Sequence, residues 1–232
     1  MSTLHNTTVK DITLSHPDSY RVFHKHGIDF CCEGKRLLTD VCLEKGISID
    51  DVFRDIESSS GNKDDYIDWT QKSQQELIVH IVETHHDFLR NELPRIRFLL
   101  TKVANRHGPT HPHLFKVHYI FEKMSRDLLQ HIETEERTVF PMIEKQDTAS
   151  NTSLSILMME TEHVETGEAL EKLMELTDAY EIKNGMCASY QALYAGLADL
   201  DTNIRAHIHK ENNILFPLAL SSMPHLKEAL HG

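Results

Sequence analysis

Two stretches of the chain pair a histidine with a glutamate four residues on, in a repeated context. His131-Ile-Glu-Thr-Glu135-Glu-Arg-Thr-Val-Phe140-Pro141 aligns with His207-Ile-His-Lys-Glu211-Asn-Asn-Ile-Leu-Phe216-Pro217 at an offset of 76 positions. Upstream, Glu83-Thr-His-His86 aligns with Glu160-Thr-Glu-His163 at an offset of 77. On an α-helix, residues four apart are separated by about 40° and roughly 6 Å of rise, so each His-x-x-x-Glu pair leaves one face. Left unpaired in a core, four imidazoles and two carboxylates would be costly, so metal binding is the better account of His86, His131, Glu135, His163, His207 and Glu211. Six donors exceed a closed tetrahedral zinc site. Two histidines per metal with two bridging carboxylates make a dinuclear centre with room for a bridging oxygen. Imidazole with carboxylate suits iron, with manganese the alternative. No thiol is among the six, which argues against an iron–sulfur cluster in this part of the chain.

For these side chains to meet, long helices must carry them in register. Ser73-x-x-Glu76 is a capping-box signature, and apolar residues follow at 78, 82, 89, 93, 96, 100 and 103, one helical face. Pro94 is expected to kink this helix or loosen a turn, and Gly108-Pro109 to end it. A second stripe runs through Leu114, Val117, Phe121, Met124 and Leu128 and ends near Pro141. A third follows the turn cluster Asp147 to Ser153, through Ile156, Leu170 and Met174. A fourth follows Asn184-Gly185, through Leu193, Leu197, Leu200 and Ile204. The expected fold is all-α, with an up-down-up-down four-helix bundle over residues 66–228. All six candidates fall in the stripes. The midpoint of His86 and His131 falls at Gly108-Pro109 and that of His163 and His207 at Gly185, so counting brings them to one depth.

Residues 1–60 read as a separate small helical part. Short helices are expected over Asp18–His26, stopped by Gly27, over Arg36–Lys45, stopped by Gly46, and from Ser48 to about Glu57. The polar run 58–65 is the expected linker. The chain has 232 residues, 36 acidic against 24 basic side chains and 17 histidines. A formal charge of −12 without a basic stripe argues against nucleic acid as partner. No signal sequence or membrane-length apolar run is present, so a cytoplasmic protein with reduced thiols and no membrane partner is expected. The oligomeric state stays open, a homodimer included.

Neighbouring residues have simpler readings. His85 lies about 100° round from His86, and His209 about 200° from His207, so both are expected to face away. His107, His111 and His113 read as a solvated loop. Asp127, Glu160 and Asn203 precede a candidate ligand on its own face and are expected to hydrogen-bond the imidazoles. Phe140-Pro141 and Phe216-Pro217 are expected to shape helix ends. Cys42 reads as core and Cys187 as inert.

The six residues resemble the hemerythrin-like bundle, in which His-x-x-x-Glu supplies ligands to an oxo-bridged di-iron centre. Asp29-Phe30-Cys31-Cys32-Glu33-Gly34-Lys35 resembles the paired-cysteine motif of the ScdA-type N-terminal domain. Together they are similar to the repair-of-iron-centres family over essentially the whole chain. One departure is Glu33, where that motif usually has glycine. The resemblance implies two carboxylate-bridged iron ions per chain with an oxo or hydroxo bridge, held by His86, His131, Glu135, His163, His207 and Glu211. It implies repair of iron–sulfur clusters damaged by oxidative or nitrosative stress, with the damaged proteins as clients. Cys31 and Cys32 could accept iron, exchange disulfides, react with nitric oxide, or simply form a structural turn. Two other function classes stay in play: a di-iron enzyme reducing nitric oxide or peroxide, and a carrier or sensor of O2 or NO. A dithiol part leans against a simple carrier.

Overall fold

The computed structural model describes residues 7–16, 19–59, 67–145 and 151–222. Four short helices come first: α1 (Val9–Ser15), α2 (Ser19–Lys25), α3 (Leu38–Lys45) and α4 (Ile49–Ser59). Helix α1, capped by Thr8 accepting from the Asp11 N–H, had no counterpart among the sequence expectations. Helix α3 ends where Gly46 takes a left-handed conformation at φ 66°, which suits glycine. Helix α4 runs through Ser58 and Ser59, so the expected linker begins later, and its remainder lies outside the described residues.

The bundle begins at α5 (Gln74–Ile81), whose start is the Ser73–Glu76 capping box with both reciprocal hydrogen bonds made. A π-helical turn, Val82–His86, joins α5 to α6 (Asp87–His107). Helix α6 keeps its helical course through Pro94; the irregular turn lies before it, at the candidate ligand. Helix α7 (His113–Thr134) leads through a second π turn, Glu135–Val139, into α8 (Phe140–Glu144). Helix α9 (Asn151–Leu176) starts inside the expected turn cluster rather than after it. Helix α10 (Ala188–Lys210) passes through a third π turn, Glu211–Leu215, into α11 (Phe216–Ser221). Pro141 and Pro217 do not end their helices. Each sits directly after a π turn, near the start of the next helical piece, where a missing N–H costs least.

The fold is all-α, an up-down-up-down four-helix bundle with a small helical part on one flank; no strand occurs among the described residues. At the first hairpin tip, a Cβ on Gly108 would sit 2.4 Å from the Ala104 carbonyl oxygen as well as against the Phe115 ring, so only glycine fits. One apolar cluster runs without a break from Val9, Phe23, Phe30 and Val52 into Leu93, Phe121, Leu128 and Leu197. A second, around Leu77, Phe140, Ile156 and Phe216, closes the opposite end. The six histidines and glutamates lie between the two. Cys42 is core, as its apolar context predicts, and the described cysteines are all free. None of the helices over the described residues is long and apolar enough to cross a membrane.

Candidate metal centre

Each hairpin delivers the same three side chains. His86 ends the first π turn, His131 lies on the last turn of α7, and Glu135 opens the second π turn. His163 sits mid-way along α9, His207 on the last turn of α10, and Glu211 opens the third π turn. A π turn holds one more residue than an α turn and is common at functional sites. Two of them begin on the glutamates, at equivalent points of the repeat.

All six side chains are buried and converge. Two groups of four have their donor atoms within 4.8 Å of one another: His86, Glu135, His207 and Glu211; and His131, Glu135, His163 and Glu211. Both glutamates belong to both groups. Glu135 turns Oε1 to His131, at 3.1 Å, and Oε2 to His86, at 3.4 Å. Glu211 turns Oε1 to His207, at 2.9 Å, and Oε2 to His163, at 3.2 Å. The imidazoles pair across hairpins, His86 with His207 and His131 with His163, with Nε2 atoms 3.1 and 3.0 Å apart.

The outer nitrogens of three imidazoles are held by oxygens. The Nδ1 of His86 donates to Glu136 Oε1, and that of His131 to Glu162 Oε2, each at 2.6 Å. The Nδ1 of His163 donates to Asn212 Oδ1 at 2.7 Å. With Nδ1 carrying the proton, the neutral rings present Nε2 lone pairs to the centre. Lone pairs face lone pairs and carboxylate oxygens. Among the described residues, both oxygens of Glu135, and Oε2 of Glu211, have no hydrogen-bond partner of good geometry despite full burial. Buried polar atoms are seldom left so. Burial disfavours charge on His131, yet Glu135, Glu162 and Glu211 overcome it and push the imidazole up to about 10, so that without a cation a proton takes the Nε2 lone pair. Burial and mutual repulsion would raise Glu135, but the imidazoles outweigh both and keep it below the usual carboxylate range. A set of acceptors with negative potential at its middle fits cations.

The hydrogen-bond partners of the rings are not those expected. Asp127 is exposed and pairs with Lys123, and Asn203 bonds His85 rather than a candidate ligand. The acceptors come from the facing helix, next in sequence to another centre residue: Glu136 after Glu135, Asn212 after Glu211, Glu162 before His163. An imidazole aiming Nε2 at the centre turns Nδ1 sideways into the helix seam, beyond reach of its own previous turn. Glu160 takes no such place. Phe140 and Phe216 have more than a helix-shaping part: their rings stack on His86 and His163, at 5.8 and 6.0 Å.

His85 and His209 stay out of the centre, as their angles predict, but neither reaches solvent. His85 is 3 % exposed and stacks on His207; His209 is 8 % exposed and packs against Phe30. Burial, with Lys210 nearby, keeps both neutral, His209 at about 4. At the far end of the bundle, His113 meets the hydroxyls of Tyr194 and Tyr190, and His107 contacts the Cys187 thiol at 3.4 Å.

The paired cysteines lie against the centre. Asp29 Oδ1 accepts from the N–H groups of Cys31 and Cys32, each at 2.9 Å, and from the Cys31 thiol. The two sulfurs are 3.6 Å apart, and Cys32 Sγ is 3.6 Å from the His163 carbonyl. Asn212, which fixes His163, donates its amide to the Cys31 carbonyl at 3.2 Å, and Asn213 donates to the Phe30 carbonyl. Gly34 allows this seat, since a Cβ there would come within 3.0 Å of the Phe30 carbonyl and 3.4 Å of Asn213. The Cys32 bond, burial and Asp29 push the Cys31 thiol well up, so it is protonated at neutral pH. Glu33 points outward to Arg36, away from the sulfurs.

A centre of four imidazoles and two shared carboxylates inside a four-helix bundle defines a hemerythrin-type metal-binding protein. Residues 77–219 match the model for the hemerythrin HHE cation binding domain, and residues 5–60 match that of the ScdA N-terminal domain, described as a domain of unknown function. The chain is 34 % identical to a probable iron-sulfur cluster repair protein of Haemophilus influenzae, over 92 % of this chain and 96 % of the relative. It is 32 % identical to the iron-sulfur cluster repair proteins YtfE of Pectobacterium atrosepticum and Yersinia pseudotuberculosis, over 90 % and 93 % of this chain and 95 % and 97 % of theirs. The chain belongs to the YtfE/ScdA-like repair-of-iron-centres family.

Proposed function

We propose that this protein works in the cytoplasm as a di-iron protein that supplies iron for the repair of iron–sulfur clusters damaged by oxidative or nitrosative stress. The observation that carries the reading is the pair of four-residue nests sharing both carboxylates. In this reading His86 and His207 hold one iron, His131 and His163 the other, and Glu135 and Glu211 span the two. Iron is here cargo as well as resident, and ferric ions favour carboxylate more than ferrous ions do, so the hold on it depends on redox state. The names of the relatives supply the clients, damaged iron–sulfur proteins.

The surroundings support release from one side. A groove of about 770 Å³ between α7 and α9 is lined by His131 and by Glu162, whose side chain is 45 % exposed. The His86–His207 side is backed by His85, which is 3 % exposed and stacks on His207. The iron at His131 and His163 is then the first to leave. The test is revival of a damaged [4Fe–4S] enzyme by the iron-loaded protein with free iron chelated, alongside metal analysis. About two irons per chain and revival under chelation are expected. One zinc per chain, or no revival, overturns the reading.

A further inference from the structure

A cavity of about 630 Å³ lies where α1, α2 and the Phe30 loop meet α5, α6 and α10, outside the six-residue centre. Its volume is that of a small-molecule site. One wall is aromatic: Tyr20 and Phe30, with ring centroids 6.1 Å apart, face Phe88 and Trp69, which stacks on His80 at 4.1 Å. Lys210 supplies the ammonium. Its Nζ donates to His85 Nε2 at 3.0 Å, while His85 Nδ1 donates to Asn203 Oδ1 at 3.2 Å, which fixes His85 as a neutral acceptor.

No carboxylate among the described residues forms an ion pair with Lys210. Asp199, the one carboxylate among the described lining residues, is exposed at the rim, eleven residues back on α10 and about 16 Å along the helix axis. A half-buried ammonium whose one hydrogen-bond partner among the described residues is a neutral imidazole has donor capacity to spare, and a charged partner strengthens such a bond. The apolar walls select against a bare inorganic anion, whose hydration they cannot replace.

We propose that this cavity binds a small organic monocarboxylate with an aromatic or alkyl body, the carboxylate on Lys210 and the body among Tyr20, Phe30, Trp69 and Phe88. The site goes beyond iron handling and stands whether or not iron is the metal. Its floor residue His85 lies on His207, so an occupant pulling on Lys210 also touches the packing of the centre.

The chain has a single tryptophan, Trp69, and it lines the cavity, so its fluorescence reads occupancy directly. The full-length metal-loaded protein is titrated with 3-phenylpropionate and with its neutral analogue 3-phenylpropan-1-ol. Saturable change with the acid, and at least about tenfold weaker binding of the alcohol, are expected. Lys210→Met should erase that preference and Lys210→Arg should keep it. Thr202→Phe, which fills the cavity away from Lys210, should abolish binding of both probes and guards against misfolding of the first variant. No saturable change, equal binding of acid and alcohol, an unaltered preference in Lys210→Met, or equal competition by inorganic phosphate would each overturn the site.

Discussion

His85 lies flat against His207, ring centroids 5.5 Å apart and planes inclined by 13°. In the repeat, His85 occupies the position of Glu162, which takes the Nδ1 proton of His131 at 2.6 Å. His207 Nδ1 therefore has no hydrogen-bond partner among the described residues, whereas the other three rings are each fixed by an oxygen. Losing such an outer partner commonly costs 10- to 100-fold in metal affinity, roughly. Converting His85→Glu should supply the missing acceptor. Slower iron loss from the His86–His207 side, followed as the slow phase of transfer to a colorimetric chelator, is the expected result. An unchanged slow phase would mean the stack already fixes the ring.

Glu162 has the opposite role on the groove side. Glu162→Gln keeps the shape but weakens the acceptor, so His131 is held less firmly. The fast phase of iron transfer should accelerate by about tenfold or more while the slow phase stays put. Equal acceleration of both phases would show that the two sides release together.

Glu135 belongs to both nests, so its loss should be felt twice. Glu135→Ala should take the iron content from about two per chain to well below one, whereas His131→Ala should leave about one. Because metal binds the native state, chelation should lower the melting temperature of the wild-type protein and hardly move that of Glu135→Ala. Metal analysis and thermal unfolding together check this.

Helical periodicity brings the six centre residues to one face and the repeat brings them to one depth, so the centre was legible in the sequence. The supporting oxygens were not. Same-face counting points to Asp127, Glu160 and Asn203, but Nδ1 looks into the seam between helices, and seam neighbours depend on the pairing of helices and on the π turns. A signal was present: Glu136, Glu162 and Asn212 each adjoin a centre residue in sequence. Likewise, the angles of His85 and His209 exclude them from the centre without revealing that Lys210 bonds the one and Phe30 packs on the other.

Asn212 joins the dithiol loop to the centre, accepting from His163 and donating to the Cys31 carbonyl. Asn212→Leu breaks both bonds with little change of volume. Reaction of Cys32 with a thiol reagent should speed up as the loop loosens, and iron retention should fall by about tenfold. Asn212→Asp keeps the acceptor for His163 and loses the donor to Cys31, so it should free the loop while holding iron. If both variants lose iron alike, the loop itself supports His163.

The N-terminal part is also tied to the bundle by a buried charge network. Asp201 on α10 accepts from Tyr180 at 2.7 Å and Arg205 at 2.6 Å, with His24 of α2 at 3.5 Å. Burial would raise the Asp201 pKa, but His24, Arg205 and Tyr180 outweigh it and hold the group below its usual 3.8. A carboxylate lowered on folding stabilises above its unfolded pKa, and that stability is lost as pH falls through the folded value. Asp201→Asn leaves Arg205, 5 % exposed, without its ion-pair partner and should cost about 3 kcal/mol. Urea unfolding of the metal-free protein should show that loss at neutral pH. The gap between variant and wild type should narrow as pH drops below about 4, where the carboxylate of the unfolded chain begins to take up a proton that the folded one still refuses, and close once the folded carboxylate is protonated too. A gap that stays constant down to acid unfolding would mean the carboxylate contributes by shape and not by charge.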